Sequence, residues 1–510
     1  MALLGNLIAR SLRIRKQFRI KTASPKTYQM RTLRYLVERG QYTQFGKQYK
    51  FDSMLGQSLD WVADFKKNVP FHNYNSMFAQ WWHKCLAGEE NVTWPGRVNY
   101  FALSSGTSES ASKHIPVTRE MIRSTQKVGF RQFYSMSNFP IPPATFEKGV
   151  LMLGGSTSLN RQGDIYEGDM SGISAKNMPR LLSNFFYKPG QKISKQPLWE
   201  DRIGLIVEKA PSWDVGILCG VPAWAQIVLE EIVKKYGLNT IHDMWPNLRV
   251  YIHGGVAIEP YRENLKRLLS KQVAFIETYM ASEGSFGFQA RPGVPGIKLV
   301  LNAGILFEFL PFTAENFDDN GELIGHPQTH FIHEVQPDVA YAVVLSTCAG
   351  AWRYLIGDVV KFTDVAAHEI VIVGRTKQYL SLCGEHTSVD NLNAAIDEVN
   401  KQLGIAVREF TVGGMPYENL FAHKWYIGCD EPVGAAAIKR IVDRTLCAVN
   451  DDYAVERTSA LKEVLVEVLP GHVFTDFLKA TGRYGAMNKI PRVMKGKQLE
   501  EWEQFLRNRS

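Results

Sequence analysis

The residues best suited to chemistry lie in one hydroxyl- and glycine-rich run that ends in a lysine, Ser104-Ser105-Gly106-Thr107-Ser108-Glu109-Ser110-Ala111-Ser112-Lys113. Small residues let backbone N–H groups approach an anion, the hydroxyls add donors, and the lysine supplies positive charge, so the run could hold a phosphate. It lacks the G-x-x-x-x-G-K-S/T spacing of a Walker loop. Runs of this composition also form plain flexible loops, so taken alone this one leaves both interpretations open.

Two further segments place a carboxylate near a predicted strand. In Thr278-Tyr279-Met280-Ala281-Ser282-Glu283-Gly284, the tyrosine, hydroxyl and carboxylate could hold a nucleotide and its Mg²⁺, because hard cations prefer carboxylate oxygens. In Trp352-Arg353-Tyr354-Leu355-Ile356-Gly357-Asp358, an aspartate at a predicted strand start could accept both ribose hydroxyls. The simpler alternatives are a strand-end tyrosine with a solvated glutamate, and an ordinary Gly-Asp turn.

Glycines and charged residues also lie together in three other segments. They are Gly254-Gly255 after a predicted strand, the run from Gly374-Arg375 to Gly384-Glu385, and Gly485-Ala486-Met487-Asn488-Lys489-Ile490-Pro491-Arg492 near the end of the chain. A lysine in such a basic region is usually only solvated. Each segment is weak evidence for a site when it is considered separately.

The pattern of apolar residues predicts the elements that must position these groups. Ser24-Pro25 is a helix start that ends at Gly40, and residues 41–100 look like an irregular, loop-rich lead-in. From about residue 215 helices and strands alternate, which favours a mixed α/β sheet; these are helix 222–236, strand 248–252, helix 260–270 and strand 273–279. Ligands bind beyond the carboxyl ends of such strands, so the segments after Ile252 and Tyr279 are candidate site loops.

The remaining sequence predicts strands and then a second domain. Residues 298–375 read mostly as strands, at 298–301, 305–310, 341–346, 359–362 and 369–373. After this the pattern changes to a compact α+β module, with helices 387–403 and 435–448 and strands 407–412, 424–427 and 463–469. We expect a domain boundary between residues 374 and 386, and take 1–375 as a large domain and 376–510 as a small one.

Composition excludes several classes of protein. The 510 residues carry a net charge of +8 with scattered basic residues, which suits small anionic substrates and does not indicate nucleic acid binding. Six distant cysteines without zinc spacing, and no apolar run of membrane-spanning length, predict a cytoplasmic protein with reduced thiols. The basic, amphipathic residues 1–20 lack a secretory cleavage site; a packed helix is the simpler interpretation, with a membrane-surface helix or organelle presequence as alternatives.

The order and spacing of the segments resemble the adenylate-forming enzyme superfamily. Its motifs match the phosphate run with Lys113, Gly254-Gly255, Tyr-x-x-Ser-Glu at 279–283, Tyr-x-x-Gly-Asp at 354–358, Gly-Arg with Gly-Glu at 374–385, and the C-terminal Lys489. This resemblance implies a large adenylating domain of mixed sheets with a β-barrel-like part, followed by a small mobile α+β domain that rotates about residues 375–380.

Within that superfamily, residues 90–495 most resemble the auxin-responsive acyl acid-amido synthetases and their bacterial relatives. The matching residues are Ser104–Ser108 with Lys113 and Pro116, Gly168-Asp169-Met170-Ser171-Gly172, Phe307-Glu308-Phe309-Leu310-Pro311, Arg353-Tyr354 before Gly357-Asp358, and Asn488-Lys489-Ile490-Pro491-Arg492. Ser110, Ala281 and Trp352 differ from the usual plant residues glycine, serine and tyrosine, which points to the bacterial branch.

The resemblance implies two half-reactions that use ATP and Mg²⁺. A carboxylic acid is adenylated to acyl-AMP with release of pyrophosphate, and an amino acid amine then takes the acyl group and releases AMP. A thioester ligase using the same acyl-adenylate, and a nucleotide-binding protein without turnover, are the alternatives. We expect a monomer that binds a small acid and an amino acid, without stable membrane insertion.

The resemblance also assigns roles to individual residues. Lys489, Glu283 and Thr107 are the candidate catalytic residues, with Glu283 holding Mg²⁺ and Lys489 bridging the acid and the α-phosphate. Arg131, on the helix after the phosphate run, is a speculative partner for the acyl carboxylate. The expected nucleotide-binding residues are Ser104, Ser105, Gly106, Thr107, Ser108 and Lys113 for phosphates; Gly254, Gly255, Val256 and Tyr279 for the base; Thr278 for the α-phosphate; Asp358 for ribose; and Ser282 and Arg375.

Overall fold

A computed structural model describes residues 23–57, 60–104, 113–256, 258, 261–318, 321–376, 379–481 and 490–509. The described chain divides into two compact units, the first ending at Thr376 and the second beginning after it. Among the described residues, no helix combines the length and apolar character needed to cross a bilayer.

The first unit begins with short helices, so the prediction of an irregular lead-in over 41–100 is wrong. After Pro25–Gly40 come Gln44–Gln48, Phe51–Gln57, Trp61–Asn68, Tyr74–Met77, the π-helical turn Phe78–Trp82, and His83–Leu86. Thr43, Asp60 and Asn73 cap three of them by accepting backbone N–H groups. Helices this short show little of the 3.6-residue period, which is why the sequence pattern did not reveal them. Their aromatic side chains pack around the buried Trp352, whose ring stacks on Phe45 at 5.5 Å.

The strands of the first unit are, in chain order, β1 (Tyr100–Ser104), β2 (Lys113–Val117), β3 (Gly149–Leu153), β4 (Asn160–Gln162), β5 (Ile165–Gly168), β6 (Tyr187–Lys188), β7 (Val215–Gly220), β8 (Val250–His253), β9 (Ala274–Ala281), β10 (Gly284–Phe288), β11 (Ile297–Leu299), β12 (Ile305–Pro311), β13 (His330–Phe331), β14 (Ala340–Thr347), β15 (Tyr354–Asp364) and β16 (Glu369–Arg375). The α-helices between them are Arg119–Ser135, Met170–Lys176, Arg180–Phe185, Gln191–Ser194, Trp199–Lys209, Pro222–Tyr236 and Arg262–Arg267, with 3₁₀ turns at Met136–Asn138, Pro143–Glu147, Ala210–Ser212 and Ile241–Asp243.

These strands form two sheets. The larger has the order β13-β12-β14-β15-β16-β11-β10-β9-β8-β7-β3-β6, and the smaller has the order β2-β1-β5-β4. Strands β6, β3, β7, β8 and β9 pair in parallel, whereas the pairs from β9 through β10, β11 and β16 to β15 are antiparallel. The antiparallel strands expected to form a barrel-like part therefore continue the parallel strands in one sheet.

The second unit is a smaller α+β fold. Its strands are β17 (Tyr379–Leu380), β18 (Thr387–Ser388), β19 (Glu409–Tyr417), β20 (Leu420–Gly428), β21 (Leu461–Leu469) and β22 (Val493–Met494), and its helices are Val389–Leu403, Ala435–Val449, Asp451–Arg457, His472–Ala480 and Gly496–Arg507. Its main sheet has the order β21-β20-β19-β22. Trp502, Tyr426 and Phe474 lie in its core. The expected combination of α/β and α+β folds is confirmed.

Candidate functional site

Glycines mark the carboxyl edge of the parallel strands. Strand β8 pairs with β9 in parallel up to His253 and Glu277, so Gly254 lies beside Thr278. A Cβ atom at Gly254 would lie only 2.4 Å from the Thr278 carbonyl oxygen, so only glycine fits this close approach. Gly255 has a φ of 85°, in the region that favours glycine, and Val256 is half-buried. The structure thus brings the expected base and α-phosphate residues together at one sheet edge.

Glu283 lies in the tight turn between β9 and β10. Ala281 pairs with Gly284, so Ser282 and Glu283 form a two-residue hairpin loop, and both are half-buried. The start of helix Arg119–Ser135 packs on this turn, with Met121 close to Gly284. Helix and hairpin therefore fix where the Glu283 backbone lies.

A tyrosine and an arginine hold the carboxylate of Asp358. The Tyr279 hydroxyl donates a hydrogen bond of 2.7 Å to Asp358 Oδ2, and Arg375 Nε lies 3.0 Å from Oδ1. Arg375 also donates to the carbonyl of Ile356, and it lies directly opposite Asp358 in the pairing of β15 with β16. Asp358 is thus inside β15, not at the strand start that the sequence predicted, because the strand already begins at Tyr354.

The Tyr279 ring contributes to the core rather than to an open surface. It is 4% exposed and packs edge-on against Phe286 at 4.7 Å between ring centroids. Burial and the neighbouring Asp358 raise the pKa of Tyr279 well above its usual value, so its hydroxyl stays a donor. The structure therefore places Tyr279 as a support for Asp358, with little ring surface for the expected stacking on adenine.

A second tyrosine lies near Glu283. Burial, and after it the charge of Glu283, raise the pKa of Tyr354 well above its usual value. Burial raises the pKa of Glu283, and a backbone hydrogen bond and the charges of Lys113 and Arg375 counteract that rise. Glu283, Lys113, Asp358 and Arg375 thus form one group of charges, and Tyr354 is a neighbour that the sequence analysis did not assign to the site.

The two ends of the phosphate run are held as neighbours. Ser104 pairs with Lys113 across β1 and β2, so residues 105–112 connect the two strands of a hairpin. Lys113 Nζ lies 5.5 Å from the centre of the Tyr74 ring, and the Tyr74 hydroxyl accepts the backbone N–H of His114 at 2.9 Å. Ser105, Gly106, Thr107 and Ser108 lie outside the described residues.

A buried ion pair that sequence reasoning missed lies beside Tyr354. Arg353 Nη2 lies 3.1 Å from Glu308 Oε1, and both side chains are at most 5% exposed. Arg353 also donates to the carbonyls of Lys66 and Val69, and its φ of 41° is unusual for a non-glycine residue. Both residues belong to motifs that carry the family resemblance, but they are 45 positions apart, and nothing in the sequence indicated that they pair.

Two candidates remain, Arg131 and Lys489. Arg131 lies ten residues, roughly 15 Å of helix axis, beyond Met121, and its charge contributes, after burial, to lowering the pKa of Lys127. The structure therefore does not bring Arg131 to the group around Glu283. Lys489 lies outside the described residues.

Glu385, from the Gly-Glu pair at 384–385, has a structural role in the second unit. Its carboxylate accepts the backbone N–H groups of Leu382, Cys383 and Gly384 and lies 2.9 Å from His423 Nε2. Burial alone would raise the pKa of Glu385, but His423 and these N–H groups outweigh it and hold the pKa at about 2. Glu385 therefore fixes the loop that leads into helix Val389–Leu403.

Comparisons with known proteins agree with the family resemblance that the sequence motifs indicate. Residues 14–213 match the GH3 family N-terminal domain and residues 298–375 match the GH3 family central domain, together more than half of the chain. The chain is 24% identical over 471 residues to a jasmonoyl–L-amino acid synthetase, GH3.5, of Oryza sativa subsp. japonica, covering 78% of each chain.

Two solved structures share the fold. The GH3.15 acyl acid amido synthetase has a TM-score of 0.58 and 18% identity, covering 98% of this chain and 96% of that one. A 2-hydroxyisobutyryl-CoA ligase with its acyl-adenylate and CoA has a TM-score of 0.60 and 13% identity, covering 95% and 92%. These matches agree with the order of the motifs in the sequence. This chain belongs to the GH3 family.

Proposed function

We propose that this protein is an ATP-dependent acyl acid-amido synthetase, a ligase that adenylates a carboxylic acid and transfers the acyl group to an amino acid. The observation that carries the proposal is the group formed by Glu283, Asp358 and Arg375, which three separate motifs contribute to one place in the first unit. The names of the GH3 relatives, which conjugate acids with amino acids, support it.

In the first half-reaction the protein binds and orients ATP. Asp358, held by Tyr279 and Arg375, accepts the ribose hydroxyls, and the backbone at Gly254 lies against the base. Thr278 meets the α-phosphate, while the 104–108 run and Lys113 hold the outer phosphates. Bringing the acid carboxylate next to the α-phosphate lowers the barrier by orientation and by stabilising developing charge, without a protein nucleophile.

Glu283 fits a magnesium site. No group of three or more histidine, cysteine or acidic residues that could enclose a metal occurs in the part of the chain that the structure describes. Mg²⁺ is usually bound through one or two carboxylates together with substrate phosphates, and the half-buried Glu283 supplies such a ligand. When bound, Mg²⁺ would neutralise charge on the phosphates.

In the second half-reaction an amino acid amine attacks the acyl carbon and AMP leaves. Lys489 remains our proposed cation for the first half-reaction, where it would bridge the acid and the α-phosphate during adenylation, as the resemblance implies. The small domain that carries it would then have to rotate between the two steps. Cytoplasmic location and a monomeric state also remain proposals from the sequence.

The decisive assay is ATP–pyrophosphate exchange over a panel of aromatic, indole and fatty acids. Exchange with at least one acid is expected, and no exchange across the panel would favour a nucleotide-binding protein without turnover. Product mass spectrometry with amino acids and CoA supplied side by side should show an amide. A thioester alone would refute the amide proposal and favour the thioester ligase.

Lys489→Ala tests the assigned catalytic cation. This change should reduce exchange far more than it reduces ATP binding, because the lysine is proposed to act on the reacting groups. Equal losses in the two measurements would remove that role.

A further inference from the structure

The segment from Met170 to Trp199 carries charge of one sign. It contains five basic residues and no acidic residue, and acidic residues resume at Glu200 and Asp201. The five are Lys176, Arg180, Lys188, Lys192 and Lys195, of which Lys188 is half-buried and the others are exposed. Within the described part of the chain, none of the five forms an ion pair. The segment therefore presents positive charge that its own side chains do not neutralise.

Two large apolar side chains of the same segment lie open to solvent. Phe185 is 69% exposed at the end of helix Arg180–Phe185, and Leu198 is 62% exposed directly before helix Trp199–Lys209. Among the large apolar and aromatic side chains of the described residues, only Tyr42 is more exposed. A single exposed leucine is ordinary, but two such side chains beside unpaired positive charge indicate a surface that binds something.

Hydrogen bonds gather this segment at one edge of the large sheet. Its strand β6 is the last strand of that sheet. The hydroxyl oxygens of Tyr187 and Ser194 lie 2.6 Å apart, and Gln191 Nε2 donates to Ser183 Oγ at 3.4 Å. The Ser194 carbonyl also accepts the N–H of Thr157 at 2.8 Å. The short helices on either side of β6 are therefore held close to one another and to the loop after β3.

The positive charge extends onto the smaller sheet. Lys176 Nζ lies 4.4 Å from the centre of the Tyr166 ring, and Arg161 Cζ lies 5.5 Å from the same ring centre. Burial lowers the pKa of Lys176, and the charges of Lys195 and Arg161 lower it further. Cations gathered in this way repel one another, so an anionic partner would stabilise them.

We propose that this surface, which we call the basic edge (Arg161, Tyr166 and residues 176–198), docks on an anionic lipid bilayer, with Phe185 and Leu198 entering the headgroup region and the basic side chains contacting lipid phosphates. Exposed apolar side chains ringed by basic ones are the combination that binds such membranes reversibly, without a spanning segment. A nucleic acid backbone would match the charges, but it offers no apolar layer for Leu198. The proposal does not depend on the reaction that the protein catalyses.

The test is co-sedimentation of the full chain with vesicles of phosphatidylcholine and phosphatidylserine, compared with vesicles of phosphatidylcholine alone. The wild-type protein should bind the phosphatidylserine vesicles, and added salt should release it, because salt screens exposed charges. Lys192→Gln combined with Lys195→Gln should weaken binding about 20-fold, since each basic residue at such a surface contributes about fivefold. Phe185→Ser combined with Leu198→Ser should weaken it on the order of tenfold, because two apolar side chains leave the interface.

Matched controls lie elsewhere in the first unit. Lys234→Gln combined with Lys235→Gln makes the same change in net charge at two exposed lysines of helix Pro222–Tyr236, and Tyr42→Ser removes an aromatic side chain that is 72% exposed. Neither control should change vesicle binding. Glu200→Gln, which removes a negative charge two positions after Leu198, should strengthen it by about fivefold.

The possible outcomes separate docking from catalysis. A wild-type protein that does not sediment with phosphatidylserine vesicles, or that binds both kinds of vesicle equally, would overturn the proposal. Equal losses in the basic-edge and control variants would do the same. Binding to an RNA oligonucleotide but not to vesicles, lost in the Lys192 and Lys195 variant, would assign the surface to nucleic acid instead. All variants should keep the wild-type unfolding midpoint and pyrophosphate exchange, and vesicle binding without exchange for any acid would refute only the synthetase proposal.

Discussion

Replacing Gly254 with alanine tests whether the meeting of β8 and β9 sets the geometry of the nucleotide edge. The new Cβ would lie 2.4 Å from the Thr278 carbonyl oxygen and 3.0 Å from its Cγ2, whereas ordinary contacts begin near 3.4 Å. Relief of that clash requires a displacement of about 1 Å between two backbone segments. Overpacking of this kind costs about 1–3 kcal/mol of stability.

The same displacement should damage function more than stability. Thr278 is the proposed α-phosphate residue, and misplacement of a reacting group by about 1 Å can cost a rate on the order of 100-fold. We therefore expect Gly254→Ala to lower the unfolding midpoint modestly, to weaken binding of α,β-methylene-ATP, and to reduce pyrophosphate exchange strongly. Differential scanning calorimetry, isothermal titration and the exchange assay measure the three effects.

Gly204→Ala is the matched control. Gly204 lies inside helix Trp199–Lys209, and a Cβ there would meet no atom within 4 Å. Alanine in a helix interior is favoured over glycine by about 0.5–1 kcal/mol, so the control should be slightly more stable and bind nucleotide normally. A Gly254→Ala protein with wild-type midpoint, affinity and exchange would refute the reasoning about this edge.

Three further substitutions test other parts of the structure. Asp358→Asn should weaken ATP binding about tenfold but leave 2′,3′-dideoxy-ATP unaffected in calorimetry, because only ATP has the hydroxyls; equal losses would contradict the ribose role. Glu308→Gln leaves Arg353 buried without its counter-charge and should cost about 3–5 kcal/mol in denaturant unfolding, whereas a loss under about 1 kcal/mol would argue against the pair. Because Glu385 has a folded pKa of about 2, below that of a free glutamate, its stabilisation is present above about pH 4.5 and is lost as pH falls towards 2. The difference in unfolding free energy between wild type and Glu385→Gln should therefore become smaller in acid, as measured by circular dichroism. A difference that stays constant with pH would contradict the stabilising role of the Glu385 carboxylate.

Elements with local signals could be predicted from the sequence closely. Helix Pro222–Tyr236 has the predicted bounds, because it begins at a proline and ends before Gly237, which has the left-handed φ of 60°. Helix Pro25–Gly40 likewise begins after the Ser24 cap. In both cases the residues that start or stop the helix are adjacent to it in sequence.

Contacts between distant segments could not be predicted in this way. Motif order identified Glu283, Asp358 and Arg375, but not the hydroxyl that holds Asp358, because Tyr279 and Asp358 are 79 positions apart. Tyr354 was noted only as the first residue of a motif, although the fold brings it near Glu283. Sequence motifs therefore revealed which residues carry charge, and the fold revealed which residues orient them.

The balance of charge in the site explains why further positive groups are needed. Glu283 and Asp358 can carry two negative charges, and Lys113 and Arg375 carry two positive charges, so the group is close to neutral before a nucleotide binds. Arg375 is already paired with Asp358, which leaves it less able to neutralise phosphates. A bound triphosphate would therefore need additional positive charge, which the proposed Mg²⁺ at Glu283, the proposed phosphate run at 104–108 and the proposed cation Lys489 would supply. The described side chains would thus select and orient the nucleotide, while groups beyond them supply most of the neutralising charge.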